Sequence, residues 1–358
     1  MKGINYTVCV QCLTYNHSAF IEEALNGFTM QKTSFPFICV ILDDASTDGN
    51  KEVINRYISH YFDLCNEVHS REETEDYILT FYRHKHNRNC FFVTQFLKYN
   101  HYSIKKRKQP YLEMWYDCSQ YYCICEGDDY WTDPMKLQKQ VDYFNSHSGC
   151  GFVYTAYRQQ NDVTGESHDV FTSPAIRHDD TFKWELLEQN VIVGTCTTMI
   201  DSNLKKQIIE IKDDFQGFIM GDTQTWFNAA RLSQIGYIPE VTGVYRKQPT
   251  GATATFDVIR RAKFIRGCLD LHLHLAYKYG APVETIKTIK DKFGVYCLNL
   301  YLRQYQYELA EEVNKQYFHG SFLYALSIKV SKLLKLNKLH ILGPLHHFEA
   351  RAGLINMK

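Results

Sequence analysis

Three carboxylates stand within four positions, at Glu126, Asp128 and Asp129, directly after the apolar run Tyr121–Cys125. Buried strands normally carry no carboxylates, so acids crowded at a strand end require a positive partner. Hard divalent cations take oxygen ligands, and Mg²⁺ usually shares its coordination shell with substrate phosphates. The pattern predicts a site for Mg²⁺ or Mn²⁺ bound together with a phosphate-bearing ligand, with a solvated acidic loop as the simpler alternative.

Two more polar groups follow predicted strands earlier in the chain. Tyr15 comes after the β-rich run Thr7–Leu13, and Asp43-Asp44 comes after the almost continuous apolar run Phe37–Leu42. Taken singly, the first is an ordinary turn and the second an ordinary helix cap. Ligands of open α/β sheets bind at the carboxyl ends of the strands. The three polar groups together therefore predict one nucleotide site.

Strand and helix patterns alternate in the first part of the chain. Apolar residues recur at helical spacing in Ala19–Met30, between the first two predicted strands, and further strands are predicted at Gly151–Tyr157 and Val191–Ile200. This alternation predicts an α/β fold with a mostly parallel central sheet. From Asp257 onward long helical patterns predict a C-terminal α-helical region. The small, polar Thr250–Thr255 is a linker, so we predict domains at 1–252 and 253–358.

The composition excludes several classes of protein. Lys+Arg and Asp+Glu both number 40 in the 358 residues, so the chain has no basic surplus for binding nucleic acid. Several of the 12 cysteines lie in apolar strand-like runs, as expected of buried thiols in a reducing compartment. The N-terminus lacks the pattern of a secretory leader, and no apolar run reaches 18 residues. These features predict a cytoplasmic protein.

Three segments resemble family 2 glycosyltransferases with the nucleotide-sugar-binding GT-A fold. They are Val8–Asn16, Leu42–Gly49 and Cys125–Gln140, and the last carries the EGDDYWTDP-type metal motif of a bacterial subgroup. The ordered matches span roughly residues 5–247. The resemblance implies an inverting, metal-dependent hexosyltransferase-type enzyme of polysaccharide biosynthesis. It would move a sugar from a nucleoside diphosphate, with UDP preferred, to a hydroxyl of a glycan or lipid-linked acceptor.

The resemblance also implies roles for individual residues. Tyr15 would lie against the nucleobase, and Asp44 would accept a hydrogen bond from it. Asp128 would contact the ribose or sugar side of the donor and the metal. Asp129 would be the principal metal ligand of this DXD-type motif. Glu126 would be a further donor-binding acid, in a place where relatives often have another acid.

A general base is required to take the proton of the attacking hydroxyl. The family carries it at a helix start downstream of the metal motif, which matches Asp222. Many relatives have Glu-Asp where this chain has Gly221-Asp222, so a role for the preceding Glu is in doubt. Asp222 could instead cap a helix at Thr223–Leu232, and Asp213 and Asp214 are competing candidates for the base.

Weaker candidates surround this set. Trp131 and Trp226 would form either a platform for the acceptor sugar or ordinary core. Arg246 would either reach the diphosphate or lie at the surface. The basic run Lys105–Lys108 could meet phosphate or a membrane, but a solvated loop is the preferred interpretation. A further loop near the nucleotide could include His86–Asn89.

The C-terminal tail has an unusual charge balance. From Phe322 to Lys358, six Lys/Arg accompany a single acid, Glu349. This balance permits peripheral association with an anionic membrane, although a helical cap or a homo-oligomer contact is the preferred interpretation.

Two other functions fit the acidic clusters. A nucleotidyltransferase would normally carry a glycine-rich phosphate loop after the first strand, and Leu13–His17 has no glycine. A non-catalytic nucleotide-sugar-binding protein would need neither an intact acidic motif nor Asp222.

Overall fold

The computed structural model describes residues 5–64, 70–173, 176, 178–189, 193–211, 221–248 and 257–335. The chain divides into two compact units. The first comprises Met1–Asp179, Val193–Ile211 and Ala229–Lys247, and the second comprises Asp180–Ile192, Lys212–Asn228 and Gln248–Lys358. The helical unit thus takes two segments from inside the predicted first domain. The predicted linker Thr250–Thr255 and the boundary at residue 252 lie outside the described residues.

The first unit is built on a large sheet. Its strands are β1 (Tyr6–Thr14), β2 (Phe37–Asp43), β3 (Ser70–Glu73), β4 (Tyr77–Arg83), β5 (Cys90–Leu97), β6 (Ser119–Ile124), β7 (Tyr130–Trp131), β8 (Cys150–Asn161), β9 (Ser167–Val170), β10 (Met199–Asp201) and β11 (Gln234–Lys247).

The helices of the chain, in order, are α1 (Ile21–Thr29), α2 (Asn50–Tyr61), α3 (Pro110–Asp117), α4 (Lys136–Ser146), α5 (Phe182–Glu188), α6 (Ser202–Ile211), α7 (Gly221–Leu232), α8 (Val258–Lys278), α9 (Val283–Ile289), α10 (Val295–Arg303), α11 (Tyr307–Phe318) and α12 (Phe322–Leu333).

The centre of the sheet is parallel. β5, β2, β1 and β6 lie side by side in that order, and Val8 of β1 pairs with Phe37 on one side and Tyr121 on the other. Helices cover both faces of such a sheet, which explains why β2 is buried at every position. The strands predicted at Thr7–Leu13, Phe37–Leu42 and Tyr121–Cys125 are confirmed, as is the α/β fold class.

The outer strands are mixed. β10 lies antiparallel between β6 and β8, β11 runs parallel to β8, and the short β7 closes that edge. The predicted strand Val191–Ile200 is much shorter than expected, because Thr195–Thr197 forms a 3₁₀ turn before β10. This turn carries Cys196, whose thiol donates a hydrogen bond to Asp129.

The second unit has a core of its own. Its buried residues come from α5, α7 and α8–α12, and include Leu187, Phe227, Leu269 and Tyr301. Asp257 caps α8 by accepting bonds from the backbone N–H groups of Ile259 and Arg260. The predicted C-terminal helices are confirmed, except that Lys290–Gly294 forms a π-helical turn between α9 and α10. Among the described residues, no helix has the length and apolar character needed to cross a lipid bilayer.

Candidate functional site

Three strand ends meet at one edge of the parallel core. The backbone N–H of Asp44, after β2, donates to the carbonyl of Thr14 at 3.0 Å. The N–H of Gly127, after β6, donates to the carbonyl of Leu13 at 2.9 Å. These bonds tie the segments after β2 and β6 to the end of β1. The structure therefore brings together the three polar groups that the sequence predicted to share a site.

Glycine is required at the centre of the acidic motif. A Cβ on Gly127 would lie 2.7 Å from the Thr14 hydroxyl and 3.0 Å from Cδ1 of Ile21. The turn that carries the carboxylates lies directly against β1 and the start of α1. Neither neighbour therefore leaves room for a side chain at Gly127.

Asp129 is the buried member of the acidic motif. The residue is 2% exposed, and its Oδ1 accepts a 2.9 Å hydrogen bond from the backbone N–H of Arg246. The Cys196 thiol, from the turn before β10, also donates to this carboxylate. Burial raises the pKa of Asp129 well above its usual range, and the nearby Asp128 and Glu126 carboxylates raise it further. The two hydrogen bonds do not offset this rise, so within the described part of the protein the ionised form of Asp129 is disfavoured.

Asp128 is the accessible member. Its side chain is 28% exposed, and its Oδ2 lies 3.9 Å from Nε2 of His17. Nδ1 of His17 is buried and has no hydrogen-bond partner within the described ranges. An accessible carboxylate beside a buried, electrostatically strained one presents oxygen atoms of the kind that hard cations prefer.

The residues fit a metal shared with a ligand better than a metal held by protein alone. Across the described parts of the chain, no group of three or more His, Cys, Asp or Glu side chains is arranged to hold a metal ion. Mg²⁺ usually needs only one or two carboxylates, since phosphate oxygens and water complete its shell. The raised pKa of Asp129 is the observation that matches an added cation.

Asp43, at the end of β2, is a structural residue. Its Oδ1 accepts a 2.9 Å bond from the N–H of Ser46, and its Oδ2 accepts a 2.6 Å bond from Nδ2 of Asn50. Asn50 also bonds the Thr14 hydroxyl at 3.0 Å. Asp43 therefore fixes the turn before α2. The helix-capping alternative is wrong, because Gly49 is the N-cap of α2 and no side chain bonds there as a cap.

Asp44 is equally buried but is surrounded by donors. Its carboxylate accepts from the backbone N–H of His101 at 2.7 Å and of Tyr102 at 3.2 Å, and from Nζ of Lys108 at 2.7 Å. The prediction that Lys105–Lys108 is a solvated loop is wrong for Lys108, because its ammonium group pairs with Asp44. A nucleobase bonding to Asp44 would share the carboxylate with this loop.

Tyr15 lies at the same edge and is 43% exposed, as a stacking surface requires. The next residue, Asn16, has a positive φ of 56°. Its N–H donates to the Ser46 hydroxyl at 2.9 Å, and its Oδ1 accepts from the N–H of Thr47 at 2.8 Å. These bonds hold the backbone that carries Tyr15. Near this edge, a cavity of about 440 Å³ is lined by residues that include Asp43, Ala45, Ser46, Lys51, Phe96 and Lys98.

Trp131 is part of the core and offers no platform to a sugar. The residue is 2% exposed, and its indole N–H donates to the carbonyl of Cys196 at 2.7 Å. The ring packs edge-to-face against Phe28, and Nζ of Lys136 lies 4.3 Å from the ring centroid. The acceptor role predicted for Trp131 is corrected to the core alternative, because no face of the ring is left for a ligand.

Arg246 is buried and does not lie at the surface. Its guanidinium pairs with Glu23 and lies 3.6 Å from Oδ1 of Asp162. It also lies 5.1 and 4.7 Å from the ring centroids of Phe20 and Tyr130. The surface alternative is therefore wrong, because neighbouring carboxylates and rings bury the side chain, and its reach to the diphosphate stays a prediction. The backbone of Arg246 is what contacts Asp129.

Sequence reasoning missed a buried network behind the acidic motif. Lys136, fully buried at the start of α4, donates to Oε1 of Gln140 at 2.6 Å. Gln140 in turn donates to the carbonyl of Thr197 at 2.9 Å, and Trp131 holds Cys196 in the same turn. The network thus fixes the turn whose thiol bonds Asp129. The i, i+4 spacing of Lys136 and Gln140 on one helix face was its only sequence signal.

Asp222 and Trp226 belong to the second unit, on α7. The helix begins at Gly221, so Asp222 lies in its first turn, and its Oδ1 accepts a 2.8 Å bond from the N–H of Thr223. Asp222 therefore lies inside the helix and is not its cap, and its role as the general base stays a prediction. Trp226 is buried. The competitors Asp213 and Asp214 lie outside the described residues.

The predicted nucleotide loop at His86–Asn89 is misplaced. This segment precedes β5, which runs parallel to β2, so it lies at the opposite, amino-terminal edge of the parallel strands. Nδ1 of His84 accepts bonds from the N–H groups of His86 and Asn87 there. A cavity of about 690 Å³ lined in part by these residues is therefore not part of the candidate site.

Comparisons with known proteins support the fold. No family model matches the chain. An uncharacterized protein of Mycobacterium bovis is 32% identical over 135 residues, which is 38% of this chain and only 30% of that protein. The Bacillus subtilis protein named "Putative teichuronic acid biosynthesis glycosyltransferase TuaG" is 24% identical over 208 residues, covering 57% of this chain and 66% of the relative.

Among solved structures, the chain is similar to the mannosyltransferase PcManGT from Pyrobaculum calidifontis, determined in complex with GDP-Man and Mn²⁺. The TM-score is 0.50 at 16% identity, over 98% of this chain and 84% of that one. At this identity the likeness shows the fold alone. The chain therefore has a fold that a glycosyltransferase also has, with a large central sheet followed by helices.

Proposed function

We propose that this protein is a metal-dependent glycosyltransferase that uses a nucleoside-diphosphate sugar as donor. The observation that carries the proposal is the state of Asp129. Burial raises the pKa of this carboxylate well above its usual range, and the neighbouring Asp128 and Glu126 carboxylates raise it further. A divalent cation arriving with a diphosphate would supply a compensating positive charge. The mannosyltransferase that shares the fold was solved with such a pair, GDP-Man and Mn²⁺.

The donor would bind across the three strand ends. Tyr15 would stack on the base, while Asp44 would hold it from the side through its hydrogen-bonding capacity. Asp128 would contact the ribose or sugar, and Asp128 and Asp129 together would hold Mg²⁺ or Mn²⁺, with Glu126 as a further acid. The metal would neutralise the charge that develops on the diphosphate leaving group.

Asp222 would act as the general base. Its carboxylate would take the proton from the acceptor hydroxyl as that oxygen attacks the anomeric carbon. The bond from the anomeric carbon to the diphosphate breaks as the new glycosidic bond forms on the opposite face, so the configuration inverts. The bond from the Thr223 N–H to Oδ1 of Asp222 would orient the carboxylate for this task.

The acceptor would be a hydroxyl of a glycan or a lipid-linked glycan. The relative TuaG is named for teichuronic acid biosynthesis, which supports a role in making a bacterial polysaccharide. A UDP-sugar is the preferred donor in this proposal, and the reaction takes place in the cytoplasm.

Donor binding provides the decisive test. Isothermal titration of the full chain with UDP-, GDP- and dTDP-sugars, each with and without Mn²⁺, should show binding of one class that weakens sharply without metal. Binding by none of them would overturn the proposal. Metal-dependent binding without transfer to any glycan acceptor would instead indicate a non-catalytic nucleotide-sugar-binding protein.

Asp222→Asn separates chemistry from binding. The variant should bind the donor as the parent does, yet transfer sugar at least about 100-fold more slowly, since a general base contributes about 10²–10⁴ in rate. Asp201→Asn, a change at a cap of α6, is the matched control. Full transfer by Asp222→Asn at saturating donor would place the base elsewhere.

A further inference from the structure

Helix α12 has an inverted arrangement of side chains. Phe322, Leu326 and Leu333 recur at helical spacing on one face, and all three are exposed, Leu333 by 82%. On the opposite face Ser327 and Ser331 are buried. A helix that merely caps a core would place its leucines inward and its serines outward. The outward apolar face is therefore suited to something other than water.

The inward face is fully used by the second unit. Ile328 belongs to the core of that unit, and the carbonyl of Ser331 accepts a 3.3 Å bond from the hydroxyl of Tyr307 on α11. Lys332 pairs with Glu308, also on α11. α12 is thus anchored through Ile328 and its buried serines. Phe322, Leu326 and Leu333 are not part of that core.

The charges that α12 itself carries have one sign, and Glu308 of α11 pairs with Lys332. Lys329 lies on the same helical face as Phe322 and Leu333, and Lys335 follows the helix end. Between Phe322 and Phe348 the chain contains no acidic residue. An apolar face among lysines matches a bilayer with anionic head groups, where leucines enter the acyl boundary and ammonium groups remain with the phosphates.

We propose that the face formed by Phe322, Leu326, Lys329 and Leu333 docks on an anionic lipid surface. The occupant is a membrane rather than a second copy of the chain, because two such faces would bring Lys329 of each copy against like charge. A docked helix of this kind lies in the interface and does not cross the bilayer. The proposal is independent of the proposed transferase activity, because vesicle binding and donor binding are measured separately.

Vesicle co-sedimentation of the full chain tests the proposal. Vesicles of phosphatidylcholine containing phosphatidylglycerol should bind the protein, and vesicles of phosphatidylcholine alone should bind it at least about tenfold less. The triple variant Phe322→Gln, Leu326→Gln, Leu333→Gln should lose binding to the anionic vesicles at least about tenfold. Glutamine is a good helix former, so the helical circular dichroism should be retained.

A matched control changes exposed apolar residues elsewhere in the same unit. Tyr277→Gln with Val283→Gln alters side chains on α8 and α9 that are as exposed as those of α12. This control should bind anionic vesicles like the parent. Equal loss in the control and in the triple variant would overturn the assignment to α12.

The charge requirement has its own variant. Lys329→Gln with Lys335→Gln should remove the preference for anionic vesicles while leaving the helical signal unchanged. Parent-like vesicle binding by the triple glutamine variant would overturn the proposal. So would a dimer in lipid-free light scattering that the triple variant converts to a monomer, since that result assigns the face to a second copy.

Discussion

Two acid pairs flank β1 at the same edge of the sheet, and they differ in the donors and charges that surround their carboxylates. Asp43 ends β2 and Asp44 follows it, and side-chain and backbone donors meet every carboxylate oxygen of this pair. Asp128 and Asp129 follow β6, where Asp129 receives one backbone N–H and one thiol and, among the residues that the structure describes, no cation. The difference separates an acidic group that is complete without a ligand from one that is not.

This difference indicates which of the two acid pairs needs positive charge from a ligand. At Asp44 the ammonium of Lys108 supplies a full positive charge at 2.7 Å. At Asp129 burial and two neighbouring carboxylates raise the pKa instead. Equal numbers of acids at two strand ends therefore predict different chemistry once their partners are known. The predictions that follow test this contrast from the largest expected effect to the smallest.

Asp129→Asn should have the largest effect of these variants. It should lower transfer activity without lowering thermal stability. Loss of a metal ligand removes several kcal/mol of stabilisation of the leaving group, so metal-dependent transfer should fall at least about 100-fold. The raised pKa means that the ionised carboxylate destabilises the folded state at neutral pH. The metal-free variant should therefore unfold at a temperature no lower than the parent. Transfer assays and thermal unfolding without divalent metal check both parts.

The exposed Asp142 on α4 provides the control for that variant, as Asp142→Asn should leave both measurements unchanged. Retention of full metal-dependent transfer by Asp129→Asn would show that the two acid pairs do not differ in the way described.

Asp44→Asn should act on stability with the opposite sign. The change removes the charge that Lys108 and two backbone N–H groups engage, at a cost of about 2 kcal/mol in the free energy of unfolding. Urea unfolding measures this loss. Lys108→Met should give a similar loss, and the double variant should be less destabilised than the sum of the two. Fully additive losses would mean that the pair contributes nothing as a pair.

Cys196→Ala should weaken metal binding without abolishing it. The thiol bonds Asp129 from behind, and loss of such an outer contact typically costs 10–100-fold in metal affinity. A Mn²⁺ titration of transfer activity should show about a tenfold shift. Cys196→Ser keeps a donor at this position and should titrate close to the parent. An equal shift in both variants would assign the effect to packing rather than to the hydrogen bond.

Lys136→Met should have the smallest effect. Burial lowers the pKa of this lysine, and its ammonium group bonds Gln140 rather than a carboxylate. Replacing it with an apolar side chain of similar length should change the free energy of unfolding by about 1 kcal/mol or less, because lost desolvation cost offsets the lost bond. Urea unfolding checks this value. A loss larger than that of Lys108→Met would show that Lys136 neutralises the acidic motif.

The central fold could be predicted because its signals are local. Continuous apolar runs such as Phe37–Leu42 specify strands covered on both faces, and their order places the polar groups at one edge. The division into units could not be predicted. Asp180–Ile192 joins the helical unit although it lies between strands of the sheet in sequence. Which core a short segment joins depends on tertiary packing, which periodicity does not record.

The types of the site residues could be predicted better than their environments. Asp129 and Asp44 read alike in sequence, as acids after apolar strands. Only the fold shows that Lys108 returns to one of them. The burial of Trp131 and Arg246 could not be predicted for the same reason, since aromatic and cationic side chains suit both a ligand and a buried partner. Their partners are far apart in sequence, as with the Trp131 indole and the carbonyl of Cys196.

The hydrogen bond from the Arg246 N–H to Asp129 spans 117 positions in the chain. A contact of such separation forms late, because the entropy cost of closing a long loop comes before the stabilisation that the contact provides. During synthesis the acidic motif emerges well before β11, so its buried carboxylate must wait for the strand that supplies this donor. The site is therefore among the last parts of the sheet to mature. Partly folded chains should contain most of the parallel core and yet lack the proposed metal site.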